Sequence, residues 1–141
     1  MMKMLNCTCG DKWKEYAPLL LRLVLGAIFI VHGYQKIERG IGPTAEFLAT
    51  LNIPLPVVAA VLLIVAEFVG GIFLVLGLFT HWTSKILAFV ALVALLTVHI
   101  GNGFTGQGGY EFILLILAGC LSLMLTGGGK WALDKKLKKA A

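Results

Sequence analysis

Several ionisable side chains lie within, or at the ends of, long apolar stretches of this 141-residue sequence. Imidazoles, an ammonium group and carboxylates gathered at one end of a helical bundle could bind a quinone headgroup. The two quinone carbonyls accept hydrogen bonds, and quinone reduction takes up protons that a carboxylate can relay. Ionisable groups inside apolar spans are costly and are usually functional. The candidates for ligand binding or proton relay are therefore His32, Lys36, Glu67, His99 and Glu111.

A structural interpretation of the same residues stays open. Lys36 and Glu111 could form an interfacial ion pair, while the histidines satisfy backbone carbonyls or reach water. The loop 101–109 contains five glycines, which predicts a segment able to fold back over the cluster with Phe104 as a lid. Secondary candidates for lining a pocket are Gln35, Asn102, Phe104 and Tyr110.

Composition indicates which elements must position these residues. The sequence is 59% hydrophobic and 13% charged, with a mean hydropathy of +0.93. Soluble domains contain about 25% charged residues, so a multi-pass membrane protein is the class that fits. We predict an all-α, antiparallel bundle of four transmembrane helices within residues 16–129. The predicted spans are about 16–37, 55–78, 82–100 and 110–126.

The segments between and beyond the spans have their own predictions. Residues 43–51 predict a short interfacial helix whose apolar side is Phe47, Leu48 and Leu51. Residues 1–15 form a lead, and residues 130–141 form a basic interfacial tail attracted to anionic lipid. The net charge of +5 is concentrated at the ends, which indicates topology and lipid contact and not binding to nucleic acid.

Lysine and arginine predict the orientation of the chain. The lead has three lysines, the link between spans two and three has Lys85, and the tail has five lysines. The opposite side has only Lys36 and Arg39. By the positive-inside rule, we predict a multi-pass protein of the cytoplasmic (inner) membrane with both termini in the cytoplasm.

A second prediction concerns depth in the membrane. If Ile37 and Leu55 lie at one level, Arg22 and Glu67 are both roughly 20 Å further in, at the helical rise of 1.5 Å per residue. We predict an intramembrane Arg22–Glu67 ion pair, which could be a structural clasp or could carry protons on Glu67. Glycines share a face with each charge, and small residues permit close helix approach.

Cysteine and histidine usage does not specify a bound metal or a covalent cofactor. Cys7 and Cys9 form a C-x-C in the predicted cytoplasmic lead, but two ligands do not complete a zinc site. Cys120 is expected to pack as a small apolar residue inside span four. Haem bound by His32 and His99 is disfavoured because both lie near the ends of spans. The G-x-G-x-x-G at residues 101–106 lacks a preceding strand, so dinucleotide binding is rejected.

Three motifs in order resemble the DoxX family of small four-helix membrane proteins, over roughly residues 18–126. They are LLLRLVLGAIFIVHGYQKI, AEFVGGIFLVLGLFTHW and HIGNGFTGQGGYEF. The resemblance implies membership of membrane oxidoreductase systems, since one relative is part of a thiosulfate:quinone oxidoreductase and others accompany thiol and oxidative-stress enzymes. The family-matching positions are Arg22, His32, Gly33, Lys36, Glu67, Gly70, Gly71, His99, Gly103, Phe104 and Glu111.

Together, these observations favour a membrane-embedded subunit of a redox system. It would bind a quinone or a similar small molecule in an outward-opening polar pocket between helices. The alternative is a non-catalytic scaffold or amphiphile-binding protein that recruits a redox partner, and a transporter ranks third. The sequence contains no nucleophile–base–orienter set, so it does not support a stand-alone enzyme. The expected partners are membrane lipid, another redox subunit and a second copy of the chain.

Overall fold

All regular secondary structure in the part of the chain that the structure describes is helical. The computed structural model describes the backbone of residues 11–140 and the side chains of residues 13–137. Within that range there is no β-strand. The helices are α1 (Asp11–Lys14), α2 (Tyr16–Arg39), α3 (Ile41–Thr50), α4 (Pro56–Leu76), α5 (Thr80–Ala94), α6 (Glu111–Thr126) and α7 (Leu133–Ala140). A π-helical turn (Leu95–His99) and a 3₁₀ turn (Ile100–Asn102) continue α5.

Three helices among the described residues are long and apolar enough to cross a membrane: Tyr16–Arg39, Pro56–Leu76 and Thr80–Asn102. They agree with the first three predicted spans to within a few residues. The fourth apolar helix, Glu111–Thr126, has 16 residues and is therefore about 24 Å long, shorter than a bilayer core of about 30 Å. The prediction of an all-helical membrane protein is confirmed.

The long helices run alternately up and down. Helix α2 packs against α4 and α6, and α5 packs against the same two helices. One end of the assembly, called the loop end below, carries the end of α2, the start of α4, the 3₁₀ turn after α5 and the start of α6. The other, called the termini end, carries the starts of α2 and α5 and the ends of α4 and α6.

Glycines set the spacing between α2 and α4, as the sequence predicts. A Cβ atom on Gly33 would stand 2.6 Å from the backbone nitrogen of Phe68, and one on Gly26 would stand 2.6 Å from Val75 Cγ2. A Cβ on Gly71 would meet the carbonyl oxygen of Gly26 at 2.8 Å. The two backbones can therefore approach this closely only because these positions lack side chains.

The apolar core lies between the four long helices, at residues such as Phe29, Leu74, Leu87 and Leu123. Many other large apolar side chains point outward and are exposed, among them Phe89, Leu115 and Leu125. An apolar surface of this extent marks a face that is covered by lipid or protein in its native setting.

Helix α3 confirms the predicted short helix but turns a different face inward. Thr44, Ala45 and Leu48 are buried, whereas Phe47, on the predicted apolar side, is half exposed. Ala45 and Leu48 pack against Ala60 of α4. Small residues at this contact let the two helices approach, and the bulky Phe47 is excluded from it.

Candidate functional site

A buried ion pair joins α2 to α4 near the loop end. Lys36 Nζ lies 2.6 Å from Glu67 Oε2, and the two side chains are 26% and 7% exposed. Gly33, one turn before Lys36, lies against the backbone of Phe68, so the helices are close where the two charges meet. The hydrogen bond is charge-assisted, which makes it stronger than one between neutral groups.

The predicted Arg22–Glu67 pair is wrong. Arg22 is 2% exposed and, among the described residues, donates only to backbone carbonyls: Nη1 to Leu74 at 3.3 Å and Val75 at 2.5 Å, and Nη2 to Lys130 at 3.1 Å. Glu67 is instead the partner of Lys36, which the sequence analysis had considered as a partner of Glu111.

The helix register explains the error. Gly33 lies against Phe68 and Gly26 against Val75, which places Glu67 level with Tyr34 of α2. Arg22 is then roughly 12 residues, or about 18 Å, further along the axis. The depth estimate assumed that Ile37 and Leu55 are level, but in this register Leu55 lies about 13 Å beyond Ile37.

Arg22 acts as a cap for the end of α4. The last carbonyls of a helix have no intrahelical partner, and the negative end of the helix dipole favours a cation there. Gly77 follows the helix with φ +66°, and a Cβ at this position would stand 2.6 Å from Arg22 Nη1. The guanidinium therefore fits only beside a glycine.

His32 lies on the same face of α2 as Lys36, which it precedes by one turn. Its side chain is exposed, as is that of Gln35. His32, Lys36 and Glu67 thus all lie near the loop end.

The other two candidates lie at the same end but in a separate group. His99 Nδ1 donates to the Gly108 carbonyl at 2.8 Å, and Asn102 Nδ2 donates to the same oxygen at 3.2 Å. Because a carbonyl only accepts, His99 carries its hydrogen on Nδ1. These bonds close the loop 101–109 onto the end of the α5 extension.

Glu111 is the first residue of α6, and its side chain is exposed. The rings of Phe104 and Tyr110 pack edge to face with centroids 5.1 Å apart, so Phe104 contacts its own loop. Among the described residues, no hydrogen bond, ion pair or ring contact links residues 101–111 to Lys36 or Glu67. Convergence of all five candidates on one ligand stays a prediction.

An interlocked set of contacts at the termini end was not predicted from the sequence. The Asp134 carboxylate accepts from the backbone nitrogens of Phe79 at 2.6 Å and Thr80 at 2.8 Å, which caps the start of α5. Lys135 Nζ bonds Glu15 Oε1 at 2.8 Å, and this hydrogen bond and charge lower the pKa of Glu15 below its ordinary value. Lys130 Nζ donates to Tyr16 Oη at 2.6 Å.

A cavity of about 910 Å³ opens beside these contacts at the termini end. It is lined by residues of α2, α5, α6 and the C-terminal segment, including Glu15, Thr80, His81 and Thr126. A smaller apolar space of about 170 Å³ lies between α4 and α5. The pocket predicted from the sequence is at the loop end, whereas this cavity lies at the termini end.

Comparison with known proteins identifies the family. The model of the DoxX family matches residues 17–100, more than half of the chain. This chain belongs to the DoxX family. Of the positions singled out above, Arg22, Lys36, Glu67 and His99 lie inside the matched region, whereas Glu111 lies beyond it.

The DoxX-family relatives are similar along most of their length. The chain is 32% identical to "Putative oxidoreductase CatD" of Bacillus subtilis over 124 residues, covering 88% of this chain and 89% of that protein. It is 31% identical to "Inner membrane protein YphA" of Escherichia coli over 124 residues, covering 84% and 88%. An uncharacterised protein of Haemophilus influenzae is 35% identical over 134 residues, covering 92% and 96%. No solved structure gives a significant match.

Cys120 is the one cysteine in the described part of this DoxX-family protein. No group of three or more His, Cys, Asp or Glu side chains that could hold a metal ion occurs there. Cys120 is fully buried in the apolar core, as predicted for a small packed residue. Cys7 and Cys9 lie outside the described residues.

Proposed function

We propose that the chain crosses the cytoplasmic membrane four times as an antiparallel helical bundle with both termini inside. The alternation of α2, α4, α5 and α6 supports this arrangement, because it brings the start of α2 and the end of α6, which adjoin the lysine-rich lead and tail in the sequence, to one end. The positive-inside rule then places that end in the cytoplasm and the loop end outside. In this topology α6, the short helix, crosses where the bilayer thins locally or where its flanking residues extend the span.

We further propose that this membrane protein is a subunit of a redox system and that its loop end binds a quinone or a similar small molecule. The observation that carries the proposal is the Lys36–Glu67 pair, in which a carboxylate is 7% exposed inside a helical bundle. Ionisable groups in such positions mark ligand and proton pathways more often than they serve packing alone. The name of the B. subtilis relative, which contains the word oxidoreductase, supports the same class.

The residues have complementary tasks in this proposal. The Lys36 ammonium has three donors, of which one is used by Glu67, and its partial exposure leaves the others available to a carbonyl. The exposed His32 ring, one turn away, offers a second donor. Reduction of a bound quinone takes up two electrons and two protons. Glu67 passes both protons, one after the other, from water at the loop end to the quinone oxygens, and another redox subunit supplies the two electrons.

A non-catalytic scaffold or amphiphile-binding protein is the second candidate. It is favoured by the fact that Lys36 and Glu67 satisfy each other, since a buried ion pair can be structural alone. In this case the pair would hold α2 against α4, and the exposed apolar surface would contact lipid and a partner protein.

Quinone retention by the purified full-length protein separates the two functions. The variant Glu67→Gln keeps the shape of the side chain but cannot exchange a proton, and Lys36→Glu combined with Glu67→Lys reverses the pair. If the pair serves quinone binding, both variants stay folded and retain at least about 10-fold less quinone, measured by mass spectrometry of extracted lipid. Glu46→Gln, at an exposed acid on α3, is the matched control and should retain as much as the natural sequence.

The scaffold would give a different result. Glu67→Gln would then unfold or aggregate, the reversed pair would restore stability, and quinone would be absent from every preparation. That pattern would contradict the redox proposal.

A further inference from the structure

We propose that the termini end binds the phosphate of an anionic phospholipid, through the Lys130 ammonium and an aromatic cluster beside it. The cluster consists of the rings of Trp13, Tyr16 and Trp131. This is a single site on the folded protein, whereas the attraction to lipid predicted from the sequence is spread over the whole basic tail. The site lies at the opposite end of the helices from the proposed quinone site and does not depend on it.

Tyr16 is the centre of the aromatic cluster. It is the first residue of α2, and its ring centroid lies 5.5 Å from that of Trp13 and 6.1 Å from that of Trp131. The two tryptophans are 65% and 69% exposed. Tryptophan and tyrosine prefer the boundary between membrane and water, at the level of the lipid headgroups. Because α2 is long and apolar enough to cross a membrane and begins at Tyr16, we expect the cluster to lie at the depth of the lipid phosphates.

The Lys130 side chain is held against this cluster. Its Nζ donates to Tyr16 Oη at 2.6 Å, and it lies 4.4 Å from the centroid of the Tyr16 ring and 6.0 Å from that of Trp131. The backbone of Lys130 is also fixed, since its nitrogen donates to the Glu15 carbonyl at 2.9 Å and its carbonyl accepts from Arg22. The cation is therefore in place before a ligand binds, which lowers the cost of ordering it.

The positive charge of Lys130 is not neutralised by a carboxylate. Its ammonium makes no ion pair within residues 13–137, whose side chains the structure describes, and the Tyr16 hydroxyl is uncharged. The neighbouring acid, Glu15, has its carboxylate paired with Lys135 at 2.8 Å. An ammonium group has three donors, of which Tyr16 uses one. Since Lys130 is partly exposed, the other two can donate to phosphate oxygens in charge-assisted hydrogen bonds.

The exposed tryptophans favour a lipid over a free phosphate ion. Trp131 has φ +58°, a left-handed conformation that a bulky residue rarely adopts, and it presents its large ring outward in that conformation. Unfavourable backbone conformations of this kind cluster at sites that bind ligands. The glycerol and upper acyl chains of a phospholipid would cover the exposed faces of Trp13 and Trp131, whereas a phosphate ion would leave both faces in water.

Quenching of tryptophan fluorescence by brominated lipid tests the inference. The protein has three tryptophans, so Trp82→Phe leaves the two of the cluster as the only emitters. The full-length protein is reconstituted in mixtures of phosphatidylcholine and phosphatidylglycerol, in which one or the other lipid carries bromine near the top of its acyl chains. Comparison of the two quenching curves gives the preference for phosphatidylglycerol. We expect a preference of about 10-fold, the effect of one hydrogen bond between charged groups.

Three variants at the site and one control, each in the Trp82→Phe background, make the test specific. Lys130→Met should remove most of the 10-fold preference, whereas Lys130→Arg keeps the charge and should retain it. Tyr16→Phe keeps the ring but no longer fixes the ammonium, and should lower the preference by about 2-fold or more. Lys136→Met is the matched control, because Lys136 is an exposed lysine of the same basic tail. Its effect should stay below about 2-fold at physiological salt, which screens distant charges.

Several results would overturn the inference. Equal quenching by the two brominated lipids would show that the site has no preference for an anionic lipid. An effect of Lys136→Met as large as that of Lys130→Met would show a diffuse attraction of the tail in place of a site. Loss of the preference in millimolar inorganic phosphate, at constant ionic strength, would make a free phosphate ion the occupant. If Lys130→Met does not fold, Tyr16→Phe decides, and an unchanged preference in that variant would contradict the proposal.

Discussion

Arg22 provides the strongest quantitative prediction, because its hydrogen bonds at the termini end can be counted. Replacing it with methionine keeps an unbranched apolar side chain of similar length and removes the guanidinium. The carbonyl of Leu74 keeps a bond from the Gly77 nitrogen at 3.0 Å. The carbonyls of Val75 and Lys130 lose the bonds that the guanidinium supplies.

The expected loss of stability follows from those two groups. A buried polar group left without a partner costs about 1–3 kcal/mol; the two carbonyls here are partly buried, so together they cost at most about 2–6 kcal/mol. Part of this is offset because methionine, unlike the arginine cation, has little desolvation cost. We therefore expect Arg22→Met to lower the free energy of unfolding by about 2–4 kcal/mol. Arg22→Lys should lie between, since a single ammonium cannot reproduce the planar fork of donors.

The assay is reversible unfolding in mixed micelles, followed by circular dichroism. Arg39→Met is the matched control, because Arg39 is an exposed arginine at the other end of α2. Its effect should stay within about 0.5 kcal/mol, as for most surface substitutions. A change below about 0.5 kcal/mol for Arg22→Met would refute the assignment of Arg22 as the cap of α4.

Three further predictions follow from other contacts. In a double-mutant cycle on the free energy of unfolding, Lys36→Met and Glu67→Gln should show a coupling of about 0.5–3 kcal/mol. Arg22→Met and Glu67→Gln should instead be additive within about 0.5 kcal/mol. The opposite ranking of the two couplings would contradict the helix register. Gly33→Ala should lower the free energy of unfolding by about 1–3 kcal/mol, because its Cβ would stand 2.6 Å from the Phe68 nitrogen. Gly101→Ala is the control: a Cβ there has no neighbouring atom within 4 Å, so the free energy of unfolding should not change. The lowered pKa of Glu15 means that its bond to Lys135 stabilises the fold above the ordinary carboxyl value near 4.5 and is lost as the pH falls through the lower, folded pKa. Hydrogen-exchange protection of the Lys130 and Asp134 amides should fall over that acidic range. If Lys135→Met kept the same pH dependence, the Glu15–Lys135 bond would not be its cause.

Local patterns in the sequence were sufficient to predict the helices. The run from Tyr16 to Ile37 has the length and the apolar content of a span, and Gly77 and Gly127 mark where α4 and α6 end. The short helix α3 was also predicted, from Pro43 and the apolar residues after it. These features depend on residues close together in the chain, which is why the sequence reveals them.

The partners of the buried charges could not be predicted in the same way. Arg22 bonds backbone carbonyls, and every residue has a carbonyl, so no residue type marks the acceptor. Asp134 caps a helix that begins 54 residues earlier, and no local pattern records that contact. The pairing of Glu67 with Lys36 follows from the register of α2 against α4 that Gly26 and Gly33 impose. The positions of the predicted span ends do not reveal that register.

Redox-induced infrared difference spectroscopy would test the proposed function of the Lys36–Glu67 pair most directly. The protein is loaded with menaquinone, and spectra are recorded as the quinone is reduced and reoxidised. We expect reduction to change the signal of a protonated carboxyl group, and we expect that change to be absent in Glu67→Gln but present in Glu46→Gln. A spectrum with no carboxyl change, or one that Glu67→Gln leaves intact, would contradict a role for Glu67 in proton transfer.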